Sequence, residues 1–329
     1  MVQTPTVDLR CLEMDTTSLM GESSATANAA SVTRCRDESR NLYVAKILKP
    51  QCLPGHKGPG TGDCIDWSNL ETLMNDVVSP LVDSTHTKDA LLLNSCSWPL
   101  AIIEDKGKRI GILLRWHESA GDWGDTTQGW PSFSRVTQGR VFAGRHHNPS
   151  YYPKYQKIAR LGEVLLLVHD LHLRGVTIGD LRAPNLLTAP PDVHHVPGLR
   201  RVFMLDTDSF RFKGAAGFAN VPPGEEITTV AGTRDGDSEL LGRLIIYSLT
   251  ESLMVTNVDE FTQAAGEVLP PDHIERIIVL ASGHGRGIAG MVNIAQQWTG
   301  LEARNGDLYS LNTGTPVKIA DPDDGGTRD

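Results

Sequence analysis

The periodicity of apolar residues changes once along the chain, and that change limits the fold more than any other feature. Before residue 115 the apolar residues fall in short alternating runs; from about residue 155 they recur at spacings of three and four. "NLYVAKILKP", residues 41 to 50, alternates as a strand does and stops at Pro50. "WPLAIIEDKGKRIGILLRW" predicts two strands around a turn at Asp105, Lys106 and Gly107, and a weak strand is expected from Val7 to Met14. One helix interrupts this region. In residues 66 to 82, Trp67, Leu70, Leu73, Met74 and Val77 share a helical face, with Asp66 placed to cap it. Beyond a Gly-, Trp- and Ser-rich stretch at 118 to 150, "YQKIARLGEVLLLVHDLHLRG" predicts an amphipathic helix. Its face carries Ile158, Leu161, Leu165, Val168 and Leu171, and Gly175 ends it. Further helical patterns occupy 237 to 253, 272 to 281 and 288 to 299. The expected class is α+β: a strand-rich unit at 1–115 with one main helix, a mostly helical unit at 116–314, and a disordered acidic tail at 315–329.

Charge and cysteine content narrow the function classes. Forty Asp and Glu against 31 Lys and Arg leave a net charge of −9, the wrong sign for a nucleic-acid or anionic membrane surface. The basic stretch at 140–160, with Arg140, Arg145, Lys154, Lys157 and Arg160 among tyrosines, reads as a solvated approach to the long helix. No apolar run reaches the length of a membrane span, and the N-terminus lacks the apolar stretch of a secretory signal. The five cysteines are odd in number and none form CxxC, so reduced thiols and a cytoplasmic location are expected.

Between the long helix and a short apolar strand at Leu186 and Leu187 lies Asp180-Leu181-Arg182-Ala183-Pro184-Asn185. Asp, Pro and Asn are ordinary turn residues. A second apolar strand, "RRVFMLDTDSF", runs into Asp206 and Asp208. Phosphoryl transfer needs a cation on the nucleotide phosphates, oxygen ligands for Mg²⁺ and a carboxylate beside the acceptor hydroxyl. Lys46, in a strand of the first unit, supplies the cation. Asn185 and Asp206 supply the oxygens, Asp180 is free to take a proton, and Arg182 can neutralise charge on the transferred group.

These residues resemble the protein kinase superfamily. Val44-Ala45-Lys46-Ile47 is similar to the VAIK strand, Asp180 to Asn185 to the DLxxxN catalytic loop, and "VFMLDTD" to the strand before DFG. Asp237, opening an apolar helix, resembles the buried Asp that braces that loop. "IGDLRAPNLL" and "LDTDSF" narrow the likeness to an atypical bacterial Ser/Thr kinase-like branch with IGD for HRD and DTDSF for DFG. The resemblance implies a two-lobed kinase-like fold, ATP as cofactor, and Mg²⁺ with Mn²⁺ as a second candidate ion. It implies Glu71 as the partner of Lys46, Asp206 as the metal aspartate, and Asp208 as a second carboxylate beside the metal. Gly21 is the sole glycine where a phosphate-covering loop is expected, and the segment after Asp206 has no APE motif.

Three functions stay open on these grounds: a kinase acting on Ser or Thr of a protein, a kinase acting on a small-molecule hydroxyl, and a pseudokinase binding module. Gly179 stands where kinases often carry an Arg that an activation-loop phosphate neutralises. Phosphatase treatment, and a triple alanine variant at Thr228, Thr229 and Thr233, are therefore expected to leave activity unchanged; a large loss in both, with folding intact, would contradict this.

Overall fold

A computed structural model describes residues 4–18, 29–53, 65–116, 154–188, 200–213, 232–250, 258–266, 268–283 and 287–299. Gly21, the residues from 117 to 153, Thr228, Thr229 and the acidic tail lie outside these.

The α+β class holds, and the strands gather at the front of the chain. A six-stranded sheet has the order β1-β5-β6-β4-β3-β2. Its strands are β1 (Thr6–Asp8), β2 (Glu13–Ser18), β3 (Ala29–Arg36), β4 (Leu42–Leu48), β5 (Pro99–Asp105) and β6 (Lys108–Arg115). β1 runs parallel to β5 and the other pairs are antiparallel. The expected strand at Val7 to Met14 is broken by a 3₁₀ turn at Leu9–Cys11 into β1 and β2. β3 is an additional strand. Ala29, Val32, Thr33 and Cys35 are its buried residues, and such small or hydroxylated side chains hide the alternation that larger ones would display.

β4 is central because each of its faces serves a different core. Val44 and Leu48 pack with Ile102, Ile112 and Leu114 against Trp67, Leu70 and Met74, while Ala45 packs on the opposite face with Leu12, Cys35 and Ile103. Alternation therefore sends Lys46 to the same side as Val44 and Leu48.

The expected helix at 66 to 82 is continuous but not uniform. α1 (Trp67–Leu73) passes through a π turn at Met74–Val78 into α2 (Ser79–Asp83), and the Asp66 carboxylate caps it by accepting from the Asn69 N–H at 3.0 Å. A further helix, α3 (Thr87–Leu93), precedes β5. Leu73, Val77, Leu81, Leu92 and Trp98 join the same hydrophobic cluster as the later helices, so this core crosses residue 115.

That cluster surrounds α4 (Lys154–Leu173), which is followed by β7 (Val176–Thr177), β8 (Leu186–Thr188), β9 (Val202–Met204) and β10 (Arg211–Phe212). The later helices are α5 (Arg234–Thr250), α6 (Val258–Gly266), α7 (Pro271–Ala281) and α8 (Val292–Thr299). Two sequence expectations fail at α4. Residues 157 to 165 are all buried, so this part of the helix has no solvent face, and Lys157 and Arg160 are interior rather than solvated. The cause is that α4 packs against α5 and α8 as well as β7 and β9. No helix among the described residues is long and apolar enough to cross a membrane.

Gly111 of β6 sits where β4 passes closest. A Cβ there would lie 2.5 Å from the Lys46 carbonyl oxygen and 3.1 Å from Ile47 Cδ1. Gly111→Ala must push β4 away, and is expected to cost about 1–3 kcal/mol by overpacking, measured as a lowered urea midpoint.

Candidate active site

The segment that carries Asp206 and Asp208 meets β4 at Lys46. Lys46 is 5% exposed, and its Nζ donates to Asp206 Oδ1 at 2.5 Å and to both Asp208 oxygens at 2.9 Å. The two carboxylates differ in setting: the side chain of Asp206 is 38% exposed and that of Asp208 is 9% exposed. Burial disfavours the Lys46 ammonium, but the charges of Asp206 and Asp208 outweigh it and raise its pKa. Burial also pushes the Asp206 carboxyl upward, and Lys46 reverses this to leave it below its ordinary value. For Asp208, burial together with the charge of Asp206 exceeds the pull of Lys46 and lifts the pKa to about 6.

Asp206 sits in a strained position. It follows β9 with φ +58°, a left-handed backbone seldom adopted by non-glycine residues, and a 3₁₀ turn at Thr207–Ser209 begins there. The turn is pinned on two sides. Thr207 Oγ1 donates to the Ser97 carbonyl at 2.5 Å, and Ser209 Oγ donates to the carbonyls of Asp206 at 2.8 Å and Ile178 at 3.3 Å.

Asp180, Arg182 and Asn185 form a second cluster. Arg182 Nη2 donates to Asp180 Oδ2 at 2.7 Å, and Asn185 Nδ2 donates to the Asp180 carbonyl at 3.0 Å and to Oδ2 at 3.1 Å. Burial raises the Asp180 pKa despite Arg182 and Asn185, with Asp206 adding to the rise. The clusters are joined through the backbone: β8 pairs with β9, and the Leu205 N–H donates to the Asn185 carbonyl at 2.8 Å. Their charges also interact, since Arg182 helps to lower Asp206.

Asp237 does what its position suggested. Fully buried, it accepts the N–H groups of Ile178 at 2.8 Å and Gly179 at 3.0 Å. Gly179 has φ +75°, a conformation a side chain would resist.

Glu71 is a correction. Its carboxylate pairs with Arg109 at 2.5 Å, not with Lys46. Arg109 also lies over the Trp67 ring at 5.7 Å, so the guanidinium is held between residues four apart on α1.

Two positions in this framework carry no sequence signal. His172 Nε2 lies 2.9 Å from Asp237 Oδ2 and braces it from the end of α4. Asn69 of α1 donates from Nδ2 to the Phe210 carbonyl at 2.8 Å and accepts the Phe212 N–H on Oδ1 at 3.0 Å. Both of its amide atoms thus bind β10 as a neighbouring strand would.

For Mg²⁺, the donor set fits in kind. Asp206 offers a part-exposed carboxylate, and Asn185 uses only its amide nitrogen in the bonds to Asp180, leaving its oxygen available. Among the described residues no group of three or more His, Cys, Asp or Glu forms a closed metal centre. Mg²⁺ bound with nucleotide phosphates does not need one, because phosphate and water complete its shell. No protein-family model matches the chain, and no curated protein matches it in sequence.

In the metal-free protein, the Asp208 carboxyl is expected to titrate near pH 6, with Asp206 below the ordinary carboxylate range. Between the unfolded value of 3.8 and about 6 the folded state binds the extra proton, so this group's contribution to stability falls as pH rises through that window. Lys46→Met should move both carboxyls upward, which carboxyl ¹³C resonances would report; unchanged titrations would contradict the pairing.

Proposed function

We propose that the chain is an ATP- and Mg²⁺-dependent phosphotransferase of protein-kinase-like, two-lobed fold, passing the γ-phosphoryl of ATP to a Ser or Thr hydroxyl of a protein. The observation that carries this is the meeting of Lys46 with Asp206, beside Asp180 and Asn185 on a loop braced by Asp237. Independent turns and strand ends give no reason for residues 160 apart to share one ion pair.

Asn185 and Asp206 would hold the metal, which supplies charge neutralisation to the phosphates. Lys46 would bind phosphate oxygens once Asp206 turns to the cation. Asp180 is suited to take the acceptor's proton, since its raised pKa makes it a better base than an ordinary aspartate. Arg182, already beside Asp180, would offset charge on the group in transit. Asn185 holds Asp180 in place through Oδ2. Almost all of the catalysis would then lie in positioning and electrostatics.

The test is incubation with γ-labelled ATP and Mg²⁺. Label on protein is expected from the wild type, with Lys46→Met and Asp206→Asn each slower by about 10²-fold or more. Label on a small molecule would move the acceptor class, and nucleotide binding without turnover would favour a binding module. Near wild-type turnover in Lys46→Met would remove that residue from the site.

A further inference from the structure

The carboxylate that holds Lys46 ready for nucleotide has to remain in place when a metal arrives. Two carboxylates contact Nζ, and they are not equivalent. Asp206 uses one oxygen, keeps 38% of its side chain exposed and sits on a left-handed backbone. Asp208 commits both oxygens at 2.9 Å and is 9% exposed. Glu71 is engaged with Arg109. An ammonium 5% exposed is unstable without a counter-charge, because burial removes its hydration. If Asp206 is drawn to a cation, the anion that remains on Lys46 is Asp208.

We infer that Asp208 is the positioning residue for Lys46, fixing its Nζ toward nucleotide phosphates, and is not a metal ligand. The position of the lysine is thereby set by the segment that follows β9 and not by a carboxylate on α1. α1 bears on it indirectly, since Asn69 clamps Phe210 and Phe212 just beyond Asp208. Thr207 and Ser209, on either side of Asp208, are anchored to the Ser97 and Ile178 carbonyls, so the carboxylate is presented from a turn with little freedom.

This assignment rests on the phosphotransferase reading for its purpose, but its geometry can be tested separately. Reductive methylation followed by mass spectrometry measures how well each lysine is protected, with Lys106 and Lys108 as exposed references. Lys46 is expected to stay protected in Asp206→Asn and in Asp208→Glu, and to label at least about tenfold faster in Asp208→Asn. Faster labelling in Asp206→Asn with protection kept in Asp208→Asn would overturn the assignment, as would equal labelling in Asp208→Asn and Asp208→Glu. A second measurement is calorimetric binding of adenylyl-imidodiphosphate with Mg²⁺. Lys46→Met and Asp208→Asn are each expected to weaken it about tenfold or more, and the double variant no further than the worse single one. Losses that multiply would place Asp208 in a separate role, such as the metal shell. Failure of the wild type to bind this nucleotide would defeat the phosphotransferase reading alone, with the labelling still deciding Asp208.

Discussion

An ammonium ion in the interior is the constraint around which this molecule is arranged. Lys46 lies on the core-facing side of β4, among residues that exclude water, where a free charge would be strongly unfavourable. It is retained because the chain returns some 160 residues later with two carboxylates. Those carboxylates can arrive only if β9 is paired with β8 and also laid against Ser95 and Ser97 before β5. The Met204 N–H donates to the Ser95 carbonyl at 2.8 Å, and the Ser97 N–H to the Met204 carbonyl at 2.9 Å. One ion cluster therefore depends on the register of the sheet and on the seating of the helical region against it. Trp98 consolidates the seam: its indole N–H donates to the Leu92 carbonyl, and its ring meets Phe210 edge-on at 5.6 Å.

The rest of the site is held by buried polar side chains that bond the backbone around it. Asp237 accepts two backbone N–H groups and faces His172, which fixes the approach to Asp180 from below. Asn69 saturates β10 on the side that β7 leaves open, so β10 is bonded on both edges. In a low-dielectric interior an unmet donor or acceptor is costly, and each of these contacts has few alternatives. Such a frame resists gradual deformation. It keeps the Asp180 loop and the Asp206 turn in fixed relation through the hydrogen bond from Ser209 to Ile178.

Much of this was legible in the sequence, and what was not has physical reasons. β4, the β5–β6 hairpin, α4 and the strands around Leu186 and Met204 announce themselves by period and by their bounding turns. The order of Lys46, Asp180, Asn185, Asp206 and Asp237 pointed to residues that the fold brings into one region. β3 escaped because Ala, Thr and Cys weaken its alternation. Lys157 and Arg160 misled because charge is normally a sign of exposure, whereas α4 is enclosed by its neighbours. Asn69 and His172 were invisible because a polar residue's bonding partner, and not its own type, determines its role. The expectation for Glu71 fails for a related reason: a helix glutamate pairs with whichever cation its face meets, and that face meets Arg109.

The balance of charge in the site also bears on what it can receive. Lys46 and Arg182 stand among Asp180, Asp206 and Asp208, so two cations face three carboxylates. With all three carboxylates ionised, an approaching phosphate would meet a site of its own sign. Under the proposed function a divalent cation would reverse that balance, and would do so at Asp206, the carboxylate with the more exposed side chain of the pair on Lys46. The same displacement would free Lys46 from one of its two partners. On that reading cation and polyphosphate would be complementary ligands, each removing the electrostatic obstacle to the other, and a site with this composition would favour their entry as a complex over either alone.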